Sequence, residues 1–231
     1  MDSLLRAKHW QIFLFAFGIP WLLMIVIMGF GFADFFSMMK ANPDPEDMAI
    51  VMSEFMSTTM LGVLPLTLLS TAVSYGWMYA VNQRIGPMAP PEYQPKQGWV
   101  TIAIVCIVLF TIFNMAVSAY MYKNMFASMT ALGSDPAAFD NMGPMFMILY
   151  ILSLLGSFVN LGLFVFVSYQ LSRAVKGAEL QRYIRSEESI GPFFAFFFLF
   201  IGIWFMQPIV NKLHEEGPGG GSSLDRSLLL D

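Results

Sequence analysis

Charged residues are scarce in this chain. Only 12% of its 231 residues are Asp, Glu, Lys or Arg, whereas 57% are hydrophobic, and the mean hydropathy is +0.63. A soluble domain carries about 25% charged residues, so this composition excludes an ordinary water-soluble domain. The net charge is only −4, and no basic run indicates nucleic-acid binding. The composition therefore predicts an integral membrane protein.

Cysteine and histidine are also nearly absent. The single cysteine, Cys106, excludes an intramolecular disulfide. The only histidines are His9 and His214, and a haem or zinc site would need both on one side of the membrane with further ligands. The sequence contains no HExxH motif, P-loop, GxGxxG motif or paired carboxylates in an apolar run. It therefore predicts a protein that is not an enzyme and holds no cofactor.

Long apolar runs are what the sequence has instead. A transmembrane helix needs about 20 predominantly apolar residues. Five stretches meet this length, roughly 10–33, 57–82, 98–122, 144–172 and 190–211. They predict an all-α, polytopic membrane helix bundle with five transmembrane helices. The whole of 1–216 is expected to be one helical domain, followed by a flexible Gly/Ser-rich tail over 217–231.

The fifth stretch allows two topologies. It ends in "GIWFMQPIVNK", which becomes polar progressively, as a helix end does, and Trp204 suits a membrane interface. A re-entrant segment would need its turn buried in protein, and Gly202 is the one turn-forming residue near its centre. We therefore expect a full fifth span, with four spans and a re-entrant C-terminal segment as the alternative.

Positive charge indicates the orientation, because Lys and Arg near the ends of spans stay cytoplasmic. Eight of the twelve basic residues fall at the N-terminus or in every second loop: Arg6, Lys8, Arg84, Lys96, Arg173, Lys176, Arg182 and Arg185. The opposite loops are mainly acidic. We expect a multi-pass protein of the bacterial inner membrane with a cytoplasmic N-terminus. Five spans put the C-terminus in the periplasm, and a re-entrant last segment returns it to the cytoplasm.

Two spans are expected to extend beyond the bilayer. In "NPDPEDMAIVMSEFM", Asp44 suits an N-cap and Pro45 the first helical position. A helix from there to Val81 would have about 37 residues and measure roughly 55 Å, far more than the ~30 Å hydrocarbon core. Span 3 can continue similarly to Gly133. We therefore expect the extensions of spans 2 and 3 to pack together as a hairpin outside the membrane.

Methionines line this predicted hairpin. The chain has 19 methionines. Those at helical spacing in the two extensions are Met48, Met52, Met56 and Met60, then Met121, Met125 and Met129. Thioethers are soft ligands that suit Cu(I), and Met is also an adaptable packing and contact residue. Because no His or Cys joins the set, we favour a partner-binding surface and keep a Cu(I) site as the alternative.

Polar residues occur within the predicted spans, but no ionisable Asp, Glu, Lys, Arg or His does. The polar set is Thr67 and Thr71 on span 2, Asn114 and Ser118 on span 3, and Ser153, Ser157 and Asn160 on span 4. Antiparallel packing of spans 3 and 4 would bring the two asparagines to one depth. We interpret these polar residues as forming hydrogen bonds between helices, worth about 0.6 kcal/mol each. A polar cavity for a small solute is the alternative.

Two segments resemble a known group of proteins. These are "LLRAKHWQIFLFAFGIPWLL" near the start and "AVKGAELQRYIRSEESIGPFFAFFFLFIGIWFMQPIVNK" near the end. They resemble small, uncharacterised multi-span inner-membrane proteins of Bacteroidota that carry a KHWQ-type and an IGIWxxQPxxN-type motif. The positions that carry the pattern are Lys8, His9, Trp10, Gln11, Gly18, Pro20, Glu179, Leu180, Gln181, Gly202, Trp204, Gln207, Pro208 and Asn211. The resemblance implies inner-membrane residence and supplies no catalytic residues.

Together these features predict a non-enzymatic integral membrane protein. We expect a structural or accessory subunit of a membrane complex, in contact with the lipid bilayer and with other membrane proteins or copies of itself. The alternative is transport or handling of a small solute or a soft metal such as Cu(I).

Overall fold

The chain is helical, without any strand, in the part that the computed structural model describes: residues 2–40, 45–131 and 137–219. Several side chains within 45–61 and 123–143 also lie outside the description. The tail predicted to be flexible therefore falls almost wholly outside it. Within the described ranges, the all-α prediction is confirmed.

Eight α-helices follow one another along the described chain. Their bounds are α1 Asp2–Arg6, α2 His9–Phe13, α3 Ile19–Lys40, α4 Pro45–Arg84, α5 Gln97–Ala131, α6 Ala137–Leu180, α7 Ile190–Phe197 and α8 Leu199–Glu216. A π-helical turn at Leu14–Gly18 joins α2 to α3, and 3₁₀ turns occur at Gly86–Met88 and Ser186–Ser189.

Three of the described helical stretches are long and apolar enough to cross a membrane. They are His9–Lys40, Gln97–Tyr122 and Pro144–Leu180, with 32, 26 and 37 residues. They correspond to the predicted first, third and fourth spans, which supports a membrane protein. The first passes through the π-helical turn just before Pro20, whose ring removes one N–H and crowds the preceding turn.

Helices α4, α5 and α6 are longer than a bilayer requires. They contain 40, 35 and 44 residues, or about 60, 52 and 66 Å at 1.5 Å per residue. Helix α4 begins at Pro45, as the capping signature predicted. The length of α6 was not anticipated from the sequence, because Pro144 lies inside the helix and not at its start.

The chain divides into two compact units. Unit 1 comprises Met1–Gly18, Ser70–Val108 and Asn160–Asp231, and unit 2 comprises Ile19–Leu69 and Leu109–Val159.

Glycines bring helices close together in unit 2. A Cβ at Gly31 of α3 would overlap the ring of Phe55 on α4, and one at Gly156 of α6 would overlap the ring of Phe110 on α5. Phe55 also packs against Phe32, with ring centroids 5.3 Å apart. Small residues in the contact therefore allow large rings to fill the space between helices, as in other membrane bundles.

Unit 1 has a core of fully buried side chains around α8. Leu199, Ile203, Met206, Val210 and Leu213 are all buried. Their spacing of four and three residues forms one stripe along the helix. The same core contains Trp77, Met78 and Val81 of α4, Ile107 of α5, and Leu171 and Val175 of α6. The last helix is therefore packed in protein along one face.

Helices α7 and α8 form a helical hairpin, which we call the C-terminal hairpin. Helical hydrogen bonds reach Phe198 from both sides, to the carbonyl of Phe194 at 2.7 Å and from the amide of Gly202 at 2.8 Å, but the backbone of Phe198 (φ −99°, ψ 64°) leaves the helical conformation and breaks the helix there. The two arms enclose a cavity of about 480 Å³ that has Gly191 and Pro192 on one side and Phe205 and Met206 on the other. The chain thus reverses at Phe198.

The expectation of one continuous helix over 190–211 is therefore wrong. Gly202 supplies the physical reason, because a Cβ at this position would overlap the backbone carbonyl of Ala195. Only a residue without a side chain permits the arms to approach so closely. The turn-former noticed in the sequence acts one helical turn beyond the reversal, where it allows the two arms to touch.

Gly202→Ala is expected to lower the stability of the protein strongly. The added methyl group must displace backbone, which typically costs about 1–3 kcal/mol. Gly191→Ala is the matched control, since no atom lies within 4 Å of its added Cβ. The free energy of unfolding in mixed detergent–SDS micelles should fall for Gly202→Ala and stay constant or rise slightly for the control. Equal stability of the two variants would contradict the close contact.

Candidate functional site

The polar residues predicted within the spans form local hydrogen bonds. The hydroxyl of Ser153 on α6 donates to the side-chain oxygen of Asn114 on α5, and the amide of Asn114 donates to the carbonyl of Phe110 at 3.2 Å. Asn114 thus pairs with Ser153 and not with Asn160, seven residues further along α6. The sequence predicts the two asparagines at one depth, and Asn160 lies about 10 Å along α6 from the contact of Asn114 with Ser153.

The remaining members of the polar set bond within their own helices or have no described hydrogen-bond partner. Thr67 and Ser157 donate to carbonyls one turn earlier in their own helices, at 3.0 and 2.7 Å. Thr71 and Ser118 have no hydrogen bond within the described part of the chain. The side-chain oxygen of Asn160 is buried and accepts no hydrogen bond from a described residue.

The methionine stripe is described only in part. Met48 is exposed, and Met52 and Met121 are half-buried. The side chains of Met56, Met60, Met125 and Met129 lie outside the described residues. In the ranges that the structure describes, no three His, Cys, Asp or Glu residues cluster as metal ligands.

Gln207 is the most connected polar residue of unit 1. Its side chain is fully buried, and its Oε1 accepts a hydrogen bond of 2.5 Å from Nε1 of Trp77 on α4. Because an indole N–H is only a donor, this contact fixes the orientation of the amide. Its Nε2 then faces carbonyl oxygens of Leu4, Leu5 and Ala7 at 3.1, 3.3 and 2.9 Å. These carbonyls lie at the end of α1, where they have no partner within the helix, and the two N–H donors of Nε2 can satisfy two of the nearby acceptors at a time.

The N-terminal segment and α8 meet at this residue. Asn211, one turn after Gln207, accepts from Gln207 Nε2 at 2.7 Å and donates to the carbonyl of Ala7 at 3.2 Å. The ring of His9 packs against Trp204 with centroids 4.6 Å apart. Phe13 contacts Phe200 at 5.2 Å. Helix α8 therefore runs antiparallel to α1 and α2, with its polar end beside the N-terminus.

A second feature of unit 1 is a cavity of about 550 Å³, which we call the Arg173 pocket. It lies between the end of α6, the loop after α4 and the start of α7, and is lined by Glu92, Tyr93, Val165, Tyr169, Arg173, Tyr183, Ile184, Ser186, Ser189, Ile190 and Phe193. The Arg173 guanidinium lies 5.1 Å from the centroid of the Tyr93 ring and 5.5 Å from that of Tyr169. Two aromatic faces thus hold the cation.

Hydrogen bonds hold the wall of this pocket. The buried hydroxyl of Tyr93 accepts from the amide of Ile184 at 3.0 Å, which ties the loop after α6 to the loop after α4. Arg182 forms a two-point ion pair with Glu188, at 2.7 and 3.2 Å. This hydrogen bond, followed by one from the backbone amide of Arg185, lowers the pKa of the Glu188 carboxyl. The loop is therefore closed by charge pairing at neutral pH.

Comparison with known proteins gives no match. No protein-family model, curated protein or solved structure matches the chain.

Sequence reasoning identified neither Gln207 nor the Arg173 pocket as a site. The sequence marks Gln207 and Asn211 as the polar end of a span and as positions of the resemblance, and two amides four residues apart in an apolar run also indicate one polar stripe on a helix. Arg173 was taken only as an orientation charge. Its aromatic partner Tyr93 lies 80 residues earlier, and no local pattern relates the two.

Gln207→Leu is expected to destabilise the protein by about 2 kcal/mol or more. The substitution keeps the side-chain volume but leaves the Trp77 N–H and the α1 carbonyls without partners, at about 1–3 kcal/mol for each buried group. Gln170→Leu is the control, since this half-buried glutamine on α6 forms no hydrogen bond with the described residues. The free energy of unfolding is the measurement, and the control should change by only about 0.5 kcal/mol.

A double-mutant cycle makes this prediction specific. Trp77→Phe removes the indole donor and keeps an aromatic ring beside Phe196, which stacks on Trp77 with centroids 5.5 Å apart. The effects of Trp77→Phe and Gln207→Leu should be non-additive by about 0.5–3 kcal/mol. Additive effects would contradict the hydrogen bond.

Proposed function

We propose that the protein has four transmembrane helices and that the C-terminal hairpin enters the membrane without crossing it. In this topology, α2 and α3 together, α4, α5 and α6 cross the bilayer, and both termini are cytoplasmic. The observation that supports it is the antiparallel contact of α8 with the N-terminus, since Asn211 and Ala7 share a hydrogen bond. Two residues so close together belong to one side of the membrane.

The dimensions of the hairpin agree with this proposal. Helix α7 has eight residues, or about 12 Å, less than half of the ~30 Å hydrocarbon core. One face of the hairpin is covered by protein, since Phe196 stacks on Trp77 and Leu199 is buried in the core, whereas Phe198 at the turn is 54% exposed. Lys212 then joins the eight basic residues of the cytoplasmic side, in keeping with the positive-inside rule.

Cysteine accessibility tests the topology. In a Cys106→Ala background, single cysteines replace Lys40, Gln94 or Glu216, and a membrane-impermeant maleimide is added to cells with a permeable outer membrane. Lys40→Cys should react at once, whereas Gln94→Cys and Glu216→Cys should react only after the inner membrane is opened. Immediate reaction of Glu216→Cys would overturn the proposal and indicate five complete spans.

We further propose a non-enzymatic role as an accessory subunit of an inner-membrane complex. Helices α4 to α6 exceed the membrane thickness, so part of each stands in water. Near the outer ends of α3, α4 and α6, apolar thioethers remain exposed, at Met38, Met39, Met48, Met145 and Met147. Exposed apolar surface of this kind indicates a binding site for another protein, and Met adapts readily to a partner surface.

Photocrosslinking in cells tests the accessory role. A diazirine amino acid replaces Met145, and the matched control replaces Tyr183, which is 73% exposed in unit 1. The Met145 site should give an adduct with one protein in fixed ratio, identified by mass spectrometry, and the Tyr183 site should not give that adduct. Adducts with lipid alone at both positions would contradict the proposal.

Leucine substitutions separate this role from soft-metal handling. Met48→Leu combined with Met52→Leu keeps the apolar volume but removes two thioethers. The Met145 adduct should persist in this background. Its loss, together with loss of Cu(I) binding to the purified protein, would favour the metal-handling alternative.

A further inference from the structure

The Arg173 guanidinium is short of acceptors. Within the described chain it donates one hydrogen bond, to the hydroxyl of Tyr169 at 3.3 Å, although a guanidinium has five N–H donors. Its basic neighbours have carboxylate partners: Lys176 pairs with Glu179, Arg182 with Glu188 and Arg185 with Glu187. Among the described residues, no carboxylate lies within ion-pair distance of Arg173. An arginine held on two rings with donors left over is suited to a phosphate or carboxylate ligand.

A negative charge lies in the same pocket. Glu92 lines the cavity from the loop after α4, directly before the buried Tyr93. The exposed Glu92 thus borders a space that also contains a cation, and no ion pair between Glu92 and Arg173 is formed. Tyr183, 73% exposed, adds an aromatic ring 6.4 Å from that of Tyr93, and aromatic faces attract ammonium groups. One wall is thus suited to an anion and the other to an ammonium cation.

The third wall of the pocket is apolar. Val165, Ile190 and Phe193 line it on the side of α6 and α7, and Val165 and Ile190 are 39% and 52% exposed. The cavity of about 550 Å³ lies within the range of roughly 300–1,000 Å³ that is usual for small-molecule sites. A ligand that fills all three walls carries a phosphate, an ammonium group and hydrocarbon.

We infer that the Arg173 pocket binds the headgroup of a zwitterionic aminophospholipid from the cytoplasmic leaflet. Arg173 holds the phosphate, Glu92 and the ring of Tyr183 hold the ammonium group, and the first carbons of an acyl chain lie along Val165 and Phe193. The leaflet assignment rests on the topology proposed above. The chemistry of the pocket does not, since its residues all belong to unit 1.

Binding of short-chain lipids to the purified protein tests this inference. Native mass spectrometry follows one protein with dioctanoyl phosphatidylethanolamine, dioctanoyl phosphatidylglycerol or free phosphoethanolamine added. The ethanolamine lipid should bind once per chain and more tightly than the glycerol lipid, which lacks the ammonium group. Free phosphoethanolamine should bind at least about tenfold more weakly than the ethanolamine lipid, because it leaves the apolar wall empty. Tighter binding of the glycerol lipid, or equal binding of the free headgroup, would overturn the inference.

Substitutions identify the residues. Arg173→Gln should weaken binding of the ethanolamine lipid about tenfold or more, since the substitution removes the charged donor. Glu92→Gln should weaken binding of the ethanolamine lipid and leave binding of the glycerol lipid unchanged. Arg185→Gln is the control, because Arg185 is an exposed arginine in the loop after α6 that does not itself line the pocket. Unchanged binding in Arg173→Gln would contradict the proposal.

Two measurements keep these outcomes interpretable. Arg173→Lys retains the charge without the planar fork, so a folded Arg173→Lys variant with intermediate affinity separates lost binding from lost folding. The Gln94→Cys labelling tests the leaflet independently, because Gln94 lies beside the pocket residues Glu92 and Tyr93. Failure of lipid binding with Gln94→Cys reacting only after the inner membrane is opened would remove only the lipid site, and immediate reaction of Gln94→Cys with intact lipid binding would remove only the leaflet assignment.

Discussion

The buried amide of Gln207 is the interaction on which unit 1 depends. A primary amide inside an apolar core is costly unless both of its ends are hydrogen-bonded. Here the oxygen accepts from Trp77, and the nitrogen faces carbonyls at the end of α1. One side chain thus links α8, α4 and the N-terminal segment. Apolar contacts alone would not fix the register of α8 so closely, because hydrophobic attraction has no direction.

The reversal at Phe198 follows from that constraint together with Gly202. If α8 must place Gln207 beside Leu4 and Leu5, its polar end lies with the N-terminus, and α7 must enter from the same end. Gly202 lets the arms come together against the carbonyl of Ala195. The ring contacts of Phe13 with Phe200 and of His9 with Trp204 then extend the pairing of α2 with α8. A segment apolar enough to span a bilayer is in this way folded back on itself.

The hairpin also builds the Arg173 pocket. Ile190 and Phe193 of α7 form its apolar wall, and the charged loop before α7 joins Tyr93 through the amide of Ile184. In this loop Arg182 and Arg185 pair with glutamates. Arg173, near the end of α6, has no such partner among the described residues and lines the cavity. Unit 2 differs in character, since glycines and phenylalanines bring its helices together and methionines remain exposed. Lipid recognition and partner binding would then reside in separate parts of the chain.

The membrane character of the protein and the start of α4 can be predicted from the amino-acid sequence. Composition and run length are local properties, and so is the Pro45 signature; each acts through the solvent or through its own helix. The pairing of Asn114 with Ser153, the reversal within 190–211 and the contact of Tyr93 with Arg173 are visible only in the folded chain. These depend on contacts between residues far apart in the chain, which periodicity and hydropathy do not encode. Gln207 shows the difference. In the sequence it is one polar residue in an apolar run, which indicates a helix end. In the fold it links α8 to α4 through a hydrogen bond with Trp77, 130 residues earlier.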